Sequence, residues 1–143
     1  MRRASVSLIR LCCLLMLPLL VLSSVHAESE APEIQLDLSD TTGHVLLDRL
    51  FEIRYAPENW NGIILRVRGQ YYAEETAEGL RHSLIVTDCL DHCSEIAFQL
   101  IPSEESEIVW PEINQEVGIV AQIEAYATDY GSRARLVVLS LND

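Results

Sequence analysis

Apolar side chains recur at every second position in several short stretches of this chain, and that period narrows sharply what the chain can fold into. In residues 63–72, Leu65, Val67, Gly69 and Tyr71 share one face, and Arg66, Arg68 and Gln70 share the other. Residues 83–88 form a short apolar run carrying Leu84 and Val86. Residues 95–101 set Ile96, Phe98 and Leu100 inward, and residues 117–126 do the same with Ile119, Ala121, Ile123 and Ala125. Residues 133–141 close the series with Leu136 and Val138, after a hairpin turn at Tyr130-Gly131-Ser132. Alternation of this kind is the mark of half-buried strands. An earlier alternating stretch, residues 34–38, reads as a first strand, followed by turn and cap residues at 39–43.

Residues 45–55 fit two periods. As a helix they carry a stripe of Leu46, Leu47, Leu50, Phe51 and Arg54; as a strand they align Val45, Leu47, Phe51, Ile53 and Tyr55. The strand would turn Arg49 inward, so a helix is expected. Residues 57–62 then supply one helical turn closed by Gly62. Five or six strands and one helix in about 110 residues point to a small, mainly β, closed or partly open barrel, with a β-sandwich as the alternative. Gly69 in mid-strand suits a sharp barrel bend. Residues 103–107 read as an acidic loop, Trp110-Pro111 resumes the packed structure, and no internal repeat or linker is evident.

The first residues read as a leader. Arg2, Arg3 and Arg10 precede an apolar run over residues 11–22, and Val25 and Ala27 stand where a signal peptidase needs small residues. The run is shorter than the roughly 20 residues a membrane span requires, so no stable membrane insertion is expected after the leader is removed. Cys12 and Cys13 sit at the start of that run, with the rest of it following them, and Arg10 stands where a small residue is wanted, so lipoprotein processing is not expected. The expected organisation is a signal peptide at 1–27, a disordered lead-in at 28–33 and a single domain at 34–143, in the periplasm or outside the cell. After residue 27 the chain holds seven arginines, no lysine and 22 acidic residues, a formal charge of −15. That balance excludes a general nucleic-acid binder and docking on anionic lipid.

Pro57-Glu58-Asn59-Trp60-Asn61-Gly62, followed by Ile64-Leu65-Arg66-Val67-Arg68-Gly69, resembles the approach to the first long strand in bacterial exported OB-fold domains. The later cysteine-bearing strand, the acidic loop, Trp110 and the final hairpin are similar to the OB-like C-terminal domain of a bacterial membrane-protein family. That family carries an adjacent Cys-Cys pair, where this chain has Cys89 and Cys93, and it has membrane helices that this chain lacks. The resemblance spans residues 47–141. It implies a five-stranded OB-like barrel with one N-terminal helix and says nothing specific about activity.

One cluster of chemically active side chains stands out: Asp88-Cys89-Leu90-Asp91-His92-Cys93. In an oxidising compartment the two thiols left after leader removal favour a structural Cys89–Cys93 disulfide. The competing reading is a zinc or copper site using Cys89, His92 and Cys93, with His82 as a fourth ligand. A redox-active dithiol is disfavoured, because Asp88 and Asp91 oppose thiolate formation. His44 lies near a turn and reads as solvated. Arg66, Arg68, Tyr71 and Tyr126 mark a candidate binding surface, with Arg133 and Arg135 nearby, although arginines on so acidic a chain also serve as ion-pair partners. No nucleophile triad, phosphate loop or Glu-x-x-His pattern is present, so no catalytic activity and no cofactor are expected. The function expected is an exported cell-envelope module binding a protein or peptide partner. The alternative is a periplasmic metal-binding protein whose ligand is the cation.

Overall fold

A computed structural model describes residues 31–88 and 94–142. The expected signal peptide, the start of the lead-in and residues 89–93 lie outside the described residues. The chain forms β1 (Leu36–Asp37), α1 (Gly43–Tyr55), a 3-10 turn (Pro57–Asn59), β2 (Ile64–Thr76), β3 (Gly79–Asp88), β4 (Ser94–Pro102), β5 (Glu116–Thr128) and β6 (Gly131–Asn142). Around the barrel the order is β2-β3-β4-β6-β5, and β5 pairs back to β2, which closes it. The fold is therefore an OB-like barrel and not a sandwich. Among the described residues no helix is long and apolar enough to cross a membrane.

Alternation places the core as expected. Leu65, Val67, Leu84, Val86, Ile96, Phe98, Ile119, Ile123, Leu136 and Val138 are each no more than 3% exposed. Gly69 marks the point where β2 changes neighbours: residues up to Gln70 pair with β5, and those from Gln70 onward pair with β3. A Cβ at Gly69 would lie 2.7 Å from the Ile85 carbonyl oxygen, so only glycine lets the two backbones approach this closely.

The helix forms because Leu46, Leu50 and Ile53 recur one and two turns apart and bury together with Leu47. Ile53, which only the strand reading placed inward, belongs to this stripe, while Phe51 is half-buried. Arg49 stays at the surface and pairs with Glu52 at 2.6 Å. After the 3-10 turn the chain is fastened to β5. Asn61 Oδ1 accepts from the Ala125 amide at 2.8 Å, and the Gly62 amide donates to the Ile123 carbonyl at 2.8 Å. These bonds give the Pro-Glu-Asn-Trp-Asn-Gly segment its physical purpose, which is to deliver the chain into β2 in register.

Three expectations need correction. The first strand is shorter than residues 34–38: only Leu36 and Asp37 pair, parallel to Leu65 and Arg66. The β2–β3 hairpin runs well past the expected strand ends at Tyr72 and Ser83, because cross-strand pairs such as Glu74–Arg81 (2.7 Å) sustain it where no apolar alternation remains. Strict period two also fails in β6. Val120 pairs with Ser140 and Ala121 with Val138, so Leu139 is the extra residue of a β-bulge. The bulge returns Leu141 to the core side opposite Ile119, and Ser106 Oγ donates to the Leu139 carbonyl at 3.1 Å.

Candidate functional site

The two hairpins that flank the barrel mouth are built on the same local chemistry. In the β2–β3 turn, Thr76 Oγ1 donates to the Gly79 carbonyl at 2.7 Å and accepts from the Glu78 amide at 3.2 Å. In the β5–β6 turn, Thr128 Oγ1 donates to the Gly131 carbonyl at 2.6 Å and accepts from the Tyr130 amide at 3.2 Å. Gly79 and Gly131 have φ of 116° and 107°, values that side chains rarely adopt. Each glycine is followed two residues later by an arginine, Arg81 or Arg133. The pattern Thr-x-x-Gly-x-Arg thus occurs twice, a short internal repeat that the reading of the sequence missed.

Both arginines line one groove. It has a volume of about 310 Å³ and is walled by Arg81 and Ser83 of β3, Ala97 and Gln99 of β4, and Arg133 of β6, with Phe98 and Ala134 in its floor. Glu74 and Tyr126, the cross-strand partners of Arg81 and Arg133, stand at its two sides. Arg54 enters from the last turn of α1, its Nη1 3.4 Å from the Ala97 carbonyl oxygen. In an OB-like barrel this face and these two hairpins are where ligands are held.

The charge of the groove runs against that of the chain. Three of the seven arginines beyond residue 27 converge here against one carboxylate, Glu74, while the whole chain carries −12. Arg81 is paired with Glu74, Arg54 reaches only a carbonyl, and Arg133 makes no ion pair among the described residues. Behind them Arg135 holds Glu124 through two bonds of 2.8 and 2.9 Å and lies over the Tyr126 ring. That fork lowers the Glu124 pKa and raises that of Arg135. The pair fixes Tyr126 at the groove edge and contributes little to stability, because both partners remain partly exposed.

The other expected site residues are spread over the molecule. Arg66 pairs with Asp37 at 3.0 Å and Arg68 with Glu116 at 3.6 Å, so both act as ion-pair partners. Asp37 is held ionised mainly by hydrogen bonds from Ser39, with Arg66 adding to the effect. Tyr71, expected at a surface, is 2% exposed because it shares the inward face of Leu65 and Val67. Tyr126 lines the groove. Cys89, His92 and Cys93 lie outside the described residues. Among the described residues no group of three metal-ligating side chains gathers.

His82 belongs to an aromatic stack. Its ring lies 4.0 Å from that of Trp110, and its Nδ1 lies 2.6 Å from Tyr71 Oη. Trp110 also stacks on Tyr71, at 5.7 Å, so the three rings clasp the β4–β5 connection onto the barrel. Burial lowers the His82 pKa and raises that of Tyr71, which favours the neutral form of both, and the imidazole tautomer sets which of the two donates in their hydrogen bond. With Nδ1 engaged by Tyr71, a metal-ligand role for His82 would fall to Nε2, in the tautomer whose Nδ1–H donates to the tyrosine oxygen. The linkage has a definite sign. Unfolded His82 binds a proton more readily than folded His82, so its contribution is present above about pH 6.5 and declines below it. The unfolding free energy is expected to fall between about pH 7 and pH 5 with a slope that His82→Phe reduces. Urea titrations of both proteins across that range check this, and equal slopes would remove His82 as the source.

Compared with protein-family models and with curated proteins, the chain matches none.

Proposed function

We propose that this chain is an exported, non-catalytic binding domain of the cell envelope, and that its ligand is an anionic partner seated in the arginine-lined groove. The observation that carries the reading is the convergence of Arg54, Arg81 and Arg133 on one face of a chain that is otherwise strongly acidic. Three cations beside one carboxylate, Glu74, which pairs with Arg81, leave a local positive excess that draws a partner carrying carboxylates or other anionic groups. The leader pattern at 1–27 supports export, and the resemblance to exported OB-fold domains is consistent with it. Mass spectrometry of the exported protein is expected to find a chain beginning at Glu28.

Arg81→Gln together with Arg133→Gln is expected to weaken binding of an acidic partner by about tenfold or more. The cost in stability should be under about 1 kcal/mol, because both positions are exposed. Isothermal titration with an anionic ligand reads the first quantity and urea unfolding the second. Unchanged affinity would remove the groove from the function.

The same reading assigns Cys89 and Cys93 to a structural disulfide. Thiol titration of the protein as isolated is expected to find none free. Cys89→Ser with Cys93→Ser should lower stability by about 1–3 kcal/mol and leave the fold intact. Two free thiols that bind zinc tightly, with binding lost in His92→Ala, would instead establish the metal-binding alternative.

A further inference from the structure

Resting on that binding reading, we infer that the groove takes an extended acidic peptide, held by its backbone against the open edge of β4 as well as by charge. β4 and β6 are paired only where Leu100–Pro102 meets Leu136–Val138. Before Leu100 and before Leu136 the two strands run without a ladder between them, although β4 starts at Ser94 and β6 at Gly131.

The direction of the backbone groups follows from one bond. The Ser103 amide donates to the Val138 carbonyl at 3.1 Å, so residue 103 points its polar groups at β6. Alternate residues along a strand point the same way, so Gln99, Ala97 and Glu95 face β6, and Ala134 faces β4. Ala97 bears this parity out. Among the described residues its carbonyl meets no strand on that side and is reached only by Arg54, at a distance long for a hydrogen bond. Ala97 and Ala134 both line the groove, and their methyl groups leave the backbone accessible.

An exposed strand edge is a template for an added strand. Arg54, at the end of α1, bounds the open stretch, so about three peptide residues pair here. A peptide N–H takes the Ala97 carbonyl in place of Arg54 and frees that guanidinium for a peptide carboxylate. Side chains of an added strand alternate, so acids at every second position meet Arg81 and Arg133 on the outer face, and the apolar residue between them turns inward toward Phe98 and Ala134. A long polyanion without a peptide backbone meets the arginines but cannot use the edge, and it is opposed by the surrounding charge of −12.

The test uses a blocked octapeptide of alternating glutamate and valine, followed by amide NMR and titration calorimetry. The peptide is expected to shift the amides of residues 97, 99 and 134 and to slow hydrogen exchange at 97 and 99. N-methylation of its alternate residues, in the two possible registers, is expected to weaken binding at least tenfold in one register. Arg81→Gln with Arg133→Gln is expected to weaken the parent peptide by a similar factor. If both methylated peptides bind as well as the parent while the arginine variant still loses affinity, the groove is an anion site and strand addition is overturned. If no groove amide responds to the peptide, to oligodeoxythymidylate or to a polygalacturonate oligomer, the binding reading falls as well. Tighter binding of either non-peptide polyanion than of the peptide overturns the peptide assignment alone.

Discussion

Replacing Phe98 by alanine is expected to cost about 3–5 kcal/mol, the largest loss from any single truncation in the barrel. Phe98 is the bulkiest of the fully buried side chains and pairs across the sheet with Leu84. Its loss removes the transfer free energy of the ring and leaves a cavity that its strand neighbours cannot fill without breaking register. Phe98→Leu should recover more than half of the deficit. Urea unfolding with an unchanged m-value reads both numbers. A cost below about 1 kcal/mol for the alanine variant would mean that the strand presents its other face to the core.

Gly69→Ala is expected to destabilise by about 2–3 kcal/mol, against the usual direction for glycine in a strand. An added methyl ordinarily helps by restricting the unfolded chain. Here it would stand 2.7 Å from the Ile85 carbonyl oxygen and 3.0 Å from both Leu84 and Val86. Two of those contacts are to side chains that can shift, but the first is to backbone, so β3 itself must move away. Because this is where β2 passes from β5 to β3, the movement opens the barrel at a closure point. Hydrogen exchange should show faster opening in residues 83–86 of the variant than in the β5–β6 hairpin. Equal or greater stability would show that the bend does not need the glycine.

The barrel was legible wherever one face of a strand is apolar and the other polar. Leu65 and Val67, Ile96 and Phe98, and Ile119 and Ile123 each announced a strand and its inward face. Legibility ended where that contrast ends. The outer half of the β2–β3 hairpin carries Glu74, Glu75, Glu78 and Arg81, all exposed, and is held by cross-strand charge and a turn hydroxyl, which leave no hydrophobic period. The bulge at Leu139 was hidden because Leu136 to Leu141 is almost uniformly apolar, so a change of parity leaves no trace. The groove could not be read from spacing, since Arg54, Arg81 and Arg133 come from a helix and two hairpins far apart in the chain. The repeated Thr-x-x-Gly-x-Arg pattern was the one signal that linked two of them. The pairing that brings the repeats to the same opening is a property of the closed sheet.

The two matched turns also bear on how affinity at this opening can be tuned. Each lip is closed by a threonine that donates to one backbone group and accepts from another within four residues, so neither has slack to lose when a ligand arrives. The conformational entropy lost on association then falls mainly on the ligand. Chemically tying an incoming segment into its extended form, by a macrocycle or a hairpin scaffold, should raise affinity far more than stiffening the lips further. The gain should appear in calorimetry as a smaller entropic penalty at nearly constant enthalpy.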